Sequence, residues 1–235
     1  MRKLYYYFTT QSDSVQQTLE KKCRSGYNKY SMQKIKFKEG EQALAIVAHP
    51  DDETIWMGGF ILKHPEFNWT IFSLCRASDP DRAPKFLRVC ERYNAKAIIT
   101  DLEDDGKLNI KQTLPIIKKL IIEKINEKKF DYIFTHGANG EYGHPRHLGV
   151  YKIVNELIKE KFLKPRTVFY FNYAKKSKKE FAPPAAKKDS DYILKLTKKE
   201  FIAKKAVMSK IYGFNPDGID ANYCTNPEAF KILRL

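Results

Sequence analysis

Six apolar residues in a row, Ala43, Leu44, Ala45, Ile46, Val47 and Ala48, run straight into His49, Pro50, Asp51, Asp52 and Glu53. No other stretch constrains the fold as much. A short unbroken apolar run reads as a strand buried on both faces. Residues 54–62, rich in large apolar side chains, read as the start of a helix. One histidine and three carboxylates therefore stand at the carboxyl end of a buried strand, where open α/β sheets bind ligands. Adjacent carboxylates repel, and burying them without a counter-ion is costly. A divalent cation is the simplest counter-ion. A helix-capping Asp followed by a solvated acidic turn is the competing reading.

A second stretch of the same kind lies about ninety residues on. Tyr132, Ile133 and Phe134 read as a strand, and after them come three of the chain's five histidines: His136, His144 and His147. His144 and His147 share one face if a helix begins at Pro145, a residue favoured in a first turn. Two strand ends, one offering His and Asp and the other His, can supply three N/O ligands to one zinc. Three protein ligands with one open position is the catalytic arrangement, whereas closed structural sites usually use Cys. His136, at the strand tip, is expected to hydrogen-bond within the site rather than to ligate. Glu141 and Tyr142 are placed to shape the pocket, with Tyr142 against the substrate.

Together, Ala48-His49-Pro50-Asp51-Asp52-Glu53 and Gly143-His144-Pro145-Arg146-His147 resemble the two signature boxes of the LmbE/PIG-L family of zinc-dependent N-deacetylases. The resemblance runs over roughly 40–215. It implies a Rossmann-like, mostly parallel sheet with helices on both faces, one zinc per chain, and removal of an acetyl group from a GlcNAc-type amide. It further implies that His49, Asp52 and His147 bind zinc, that Asp51 is the general base, and that His144 is a protonated residue steadying the oxyanion or assisting the leaving amine. Two substrate contacts follow by analogy. Arg82 matches an arginine opening the helix after the second strand, with Arg76 as the fallback. Asp105 matches an Asp-Gly whose carboxylate binds sugar hydroxyls, although Asp-Gly is also a common turn. One departure stands out: many members carry Asp where this chain has Arg146. Near His144 an arginine lowers the imidazole pKa. Alternatively it points away and meets an anionic substrate.

Composition sets the bounds. At 235 residues the chain suits one α/β domain. No apolar run approaches the ~20 residues needed to cross a bilayer, and the tyrosine-rich N-terminus lacks the marks of a signal peptide. Cys23, Cys75, Cys90 and Cys224 show no paired spacing, which fits free thiols in a reducing, cytoplasmic setting. The net charge is +15. Residues 175–205 hold eleven lysines against four acids, a net of +7. A solvated surface explains this. So does attraction to an anion: a nucleotide-linked or lipid-linked N-acetylated sugar, or a membrane surface touched peripherally. No nucleic-acid recognition module interleaves the lysines. Homo-oligomers are common among such enzymes, but nothing in the sequence sets the number of subunits.

Along the chain, strands are expected at 42–48, 69–75, 97–100, 130–135 and 166–173. Helices are expected at 54–63, 86–93, 114–126, 148–162 and 198–211. Residues 1–40 read as an appendage with an edge strand over 4–9 and a helix over 12–24. Residues 175–190 read as a mobile basic loop. Two further readings compete with the leading one: a zinc amidohydrolase for another small amide, and a non-catalytic glycan- or anion-binding protein on the same fold.

Overall fold

The computed structural model describes residues 35–177 and 182–235. The expected strand over 4–9, the helix over 12–24 and Cys23 lie outside them, as do Lys178, Lys179 and Glu180 of the basic tract. Residues 1–36 and 37–235 separate into two units, and the fold below is that of the second.

Five strands alternate with four helices. The order is β1 (Gln42–Val47), α1 (Asp52–Lys63), β2 (Asn68–Ser73), α2 (Arg82–Arg92), β3 (Ala95–Ile99), α3 (Ile110–Lys124), β4 (Lys129–Thr135), α4 (Pro145–Lys159) and β5 (Lys164–Phe171). A ribbon of β6 (Tyr173–Lys175) and β7 (Pro184–Ala186) follows, formed from the ends of the basic tract. The chain then runs through β8 (Tyr192–Leu194), α5 (Lys198–Ala206), a π-helical turn (Val207–Ile211), α6 (Ile219–Tyr223) and β9 (Glu228–Arg234). The seven-stranded sheet has the order β3-β2-β1-β4-β5-β9-β8. β1 to β5 are parallel; β9 and β8 add an antiparallel edge. This is the expected α/β architecture.

Strand alternation builds two different layers. Leu44, Ile46, Phe72, Ile133 and Val168 face an aliphatic layer completed by Ile117 and Ile121 of α3 and by Val150, Val154 and Leu157 of α4. The opposite layer is aromatic. Phe134 stacks on Phe169 at 4.6 Å, and Phe60 of α1 meets Phe134 at 4.9 Å. Gly59 lies where a Cβ would sit 2.5 Å from Leu196 Cδ1. This close packing of α1 accounts for a glycine pair inside a helix.

Helix starts differ from expectation where side chains cap earlier. Asn109 and Gln112 form a reciprocal capping box, so α3 begins at Ile110 and runs through Pro115 rather than starting beside it. Asp79 Oδ1 accepts from Arg82 N–H at 2.9 Å, which brings the start of α2 forward to Arg82.

The strand order places the site. From β1 the chain moves outward to β2 and β3, then returns to the other side of β1 for β4 and β5. The carboxyl ends of β1 and β4 thus flank the switch point, where the loops diverge and leave a crevice. Both histidine-bearing boxes leave the sheet there.

Candidate metal and catalytic site

Three adjacent carboxylates follow β1, and each turns a different way. Asp52 is buried; its Oδ1 accepts from Trp56 Nε1 at 2.8 Å, and its Oδ2 points to the centre of the site. Glu53 is fully buried and accepts from Asp51 N–H, Thr54 Oγ1 and Tyr212 O–H. Asp51 faces the cleft, with Arg82 Nη1 donating to its Oδ2 at 2.8 Å. The Asp51 backbone has φ 117°, a region that L-residues rarely enter. The Glu53 carboxylate on its N–H helps to hold it there. Such strain collects at functional sites.

Three atoms converge. His49 Nδ1 is 3.2 Å from Asp52 Oδ2 and 3.3 Å from His147 Nε2, and His147 Nε2 is 3.4 Å from Asp52 Oδ2. The outward atom of each ligand is already engaged. His49 Nε2 meets Asp104 Oδ1 at 3.1 Å, His147 Nδ1 meets Glu141 Oε2 at 2.7 Å, and Asp52 Oδ1 holds Trp56. In the tautomer that puts the N–H on the carboxylate, each ring turns a lone pair inward. Carboxylates on the far nitrogens of metal-ligating histidines do this work in metalloproteins. Donors about 2.0–2.1 Å from a tetrahedral zinc stand about 3.3–3.4 Å apart. These side chains therefore fit a divalent cation. The electrostatics agree. Burial opposes a charged His49, yet Asp104 and Asp52 raise its pKa well above the ordinary value, so the centre already attracts positive charge. Asp52 is likewise opposed by burial but is driven well below the usual carboxylate range by His147 and His136.

Neighbouring groups complete the centre. His136 is fully buried and stacks on His147 at 3.9 Å. It accepts from Ala48 N–H and meets Glu141 through Nδ1. Glu141 thus braces both rings, from a backbone at φ 57°. His144 packs against His49 and His147, 4.7 and 4.8 Å between ring centroids. Its Nδ1 accepts from Arg146 N–H at 3.3 Å, which leaves Nε2 to carry the ring proton. Burial and the charges of His147 and His49 push its pKa down to about 3. These neighbours disfavour a charge on the His144 ring. Asp51 moves the other way: burial and the charge of Asp52 raise its pKa well above the usual range, against the pull of Arg82.

A cleft of about 330 Å³ opens over the centre. Its lining includes Asp51, Arg82, Tyr142 and His144, together with Trp56, Arg76, Asp104, Asp220 and Tyr223. Two expected contacts are not brought in. Asp105 sits on the outer side of its turn beside Gly106, exposed and 3.4 Å from Lys107, and the adjacent Asp104 turns inward instead. In a run of four acids, the turn geometry selects which one faces the sheet. Arg146 is buried against Glu103, out of the cleft, and the groups that shift His144 are other ones. Of the residues the sequence reading did not single out, Trp56 was within reach of it: i+4 from Asp52 on one helix puts the two on the same face. Asp220 and Tyr223 arrive from α6 with no local signal. His64 meets Glu66 and stacks on Phe67, away from the site. Cys75, Cys90 and Cys224 are free and buried.

A strand-switch crevice beside a His/Asp cluster that could hold a metal ion, on a mostly parallel sheet, defines an α/β fold of the LmbE-like kind. Residues 44–158, just under half of the chain, match the family model "PIG-L: GlcNAc-PI de-N-acetylase". A curated protein of Acanthamoeba polyphaga mimivirus, itself uncharacterized, is 25% identical over 133 residues; the match covers 48% of this chain and 56% of that relative. Among solved structures, the 4-carboxy-2-hydroxymuconate hydratase GalB of Pseudomonas putida KT2440 superposes with TM-score 0.59 at 14% identity, covering 83% of this chain and 97% of that one. The N,N′-diacetylchitobiose deacetylase of Pyrococcus horikoshii superposes with TM-score 0.56 at 15% identity, covering 98% and 95%. These likenesses establish the fold. That one is a hydratase and the other a deacetylase means that the chemistry must be argued from the site.

Proposed function

We propose that this protein is a zinc-dependent hydrolase that removes the N-acetyl group from a GlcNAc-type saccharide, releasing acetate and a free amine. The carrying observation is the convergence of His49 Nδ1, Asp52 Oδ2 and His147 Nε2 within 3.2–3.4 Å of one another. These three would hold the metal. A divalent ion there supplies a Lewis acid that polarises an amide carbonyl and activates water. Asp51, at the cleft wall beside Asp52, takes the proton of the attacking water. His144 donates its Nε2–H to the oxygen on which negative charge develops. Tyr142 and Tyr223 line the cleft and offer aromatic faces to a sugar ring.

The lining also bears on the substrate. Asp51, Asp52, Asp79, Asp104 and Asp220 outnumber Arg76 and Arg82, and those two guanidinium groups are engaged by Asp104 and Asp51. An uncharged saccharide suits this cleft better than a phosphorylated one. The family-model match and the deacetylase among the structural neighbours support the reaction class. Among the described residues no helix is long and apolar enough to cross a membrane.

The test is acetate release from N-acetylated sugars, free, nucleotide-linked and lipid-linked, before and after chelation and with zinc restored. Release that stops on chelation, returns with zinc and is fastest on a neutral sugar is the expected result. Metal-dependent release from a non-sugar amide alone would replace the substrate class. Acetate release that is indifferent to chelation would overturn the metal reading.

A further inference from the structure

Arg146 is an odd residue for its position. It is the second residue of α4, where the helix dipole disfavours a cation. It is also 3% exposed, and an unpaired buried charge is strongly destabilising. Its charge must therefore be met nearby, and Glu103 meets it. Arg146 Nε donates to the Glu103 carbonyl at 2.6 Å, while Nη2 donates to Glu103 Oε2 at 2.7 Å and to the Leu108 carbonyl at 3.1 Å. The Glu103 carboxylate in turn accepts from Lys107 N–H and Leu108 N–H, each at 2.9 Å, closing the loop between β3 and α3 on itself. The next residue in that loop is Asp104, whose Oδ1 holds His49 Nε2 and whose Oδ2 takes Arg76.

We propose that Arg146 is a positioning residue for the metal site, acting through Glu103 to fix the loop that presents Asp104 to His49. The inference rests on the metal reading of the cluster. One side chain ties the helix carrying His147 to the loop that orients His49, and so couples ligands drawn from two separate boxes. The neighbouring backbone does a different job. Arg146 N–H orients His144, and that contact survives any change of side chain. The side chain therefore bears on metal affinity and not on His144.

The test measures zinc affinity by chelator competition on the folded, metal-depleted protein, alongside its unfolding midpoint. Arg146→Met is expected to weaken zinc by about 10- to 100-fold, the usual effect of losing a group that orients a ligand. Glu103→Gln, which keeps the shape of the loop hub, should weaken it less but in the same direction. Asp104→Asn should weaken zinc as well, and Arg146→Met added to Asp104→Asn should cost little more, because both act along one path. A lower unfolding midpoint with unchanged zinc affinity in Arg146→Met and Glu103→Gln would make the contact purely structural and overturn the proposal. Losses that multiply in the double variant would break the path through Asp104. If the unaltered protein bound no zinc, and His147→Ala changed nothing, the metal reading itself would fall and this inference with it.

Discussion

The two strand-to-helix turns that make the site are built on different plans. The first, between β1 and α1, makes several of its bonds within itself, although Asp104, Arg82 and Tyr212 also reach it. His49 N–H donates to Asp52 Oδ2 at 2.9 Å, Trp56 one helical turn on fixes Asp52 Oδ1, and Glu53 holds the strained Asp51 backbone. The bonds made among residues 49–56 can be read from contiguous sequence. The second, between β4 and α4, is dispersed. Glu141 braces two histidines within it, but Arg146 leaves the turn to grip the loop after β3. The first turn is braced mostly from nearby and the second partly from another loop, and substitutions should separate the two.

The largest effect is expected in the first turn. Asp51→Asn should keep the metal while turnover falls by about 10²- to 10⁴-fold, the usual contribution of a general base. Zinc per chain and kcat, measured together, check this, and a near-normal rate would remove Asp51 from the role. In the second turn, Glu141→Gln should weaken zinc by about 10- to 100-fold, since His147 loses the carboxylate on its Nδ1–H. Trp56→Phe, the matching change in the first turn, removes one hydrogen bond to the Asp52 carboxylate and should weaken zinc less than Glu141→Gln, which strips support from two rings at once. If Trp56→Phe proved the more damaging of the two, the contrast between the turns would be reversed.

The opposite end of the sheet offers a control. Glu41, just before β1, is 7% exposed and bonds Arg166, Tyr132 O–H and Lys38 N–H. Burial raises its pKa, but those bonds outweigh it, and the folded-state value lies below the ordinary one. The stability it contributes is therefore present above the unfolded-state pKa near ~4.3 and lost as pH falls through the folded-state value. Glu41→Gln should cost about 1–3 kcal/mol at pH 7, with the gap to the unaltered protein closing in acid and with zinc affinity unchanged. Urea unfolding at pH 7 and pH 3 reads this directly, and a gap that widened in acid would reverse the sign. The smallest effect is expected at Asp105→Asn. An exposed turn residue away from special contacts changes stability by less than about 0.5 kcal/mol, and turnover should hold. A large loss there would mean that Asp105 reaches the substrate after all.

Much of this was legible before any coordinates. Apolar runs bounded by turn residues mark β1, β2, β4 and β5, because strands buried on both faces leave no polar position to blur the signal. The order of strands and helices, with the two boxes at strand ends, follows from that pattern alone. The proposed ligand types, His and Asp, are what the resemblance implies; the adjacent carboxylates by themselves pointed only to a counter-ion. Tertiary structure decided the rest. β8 and β9 became strands by pairing along an edge that only the assembled sheet provides. Asp104 rather than Asp105 faces His49 because the loop is pinned from another helix. His144 packs against His49 of the other box, and burial with the neighbouring histidines disfavours its charged form. Arg146 found its partner about forty residues away in Glu103. In each case the deciding contact joins residues distant in the chain, and spacing within one stretch carries no record of which loop will fold against it.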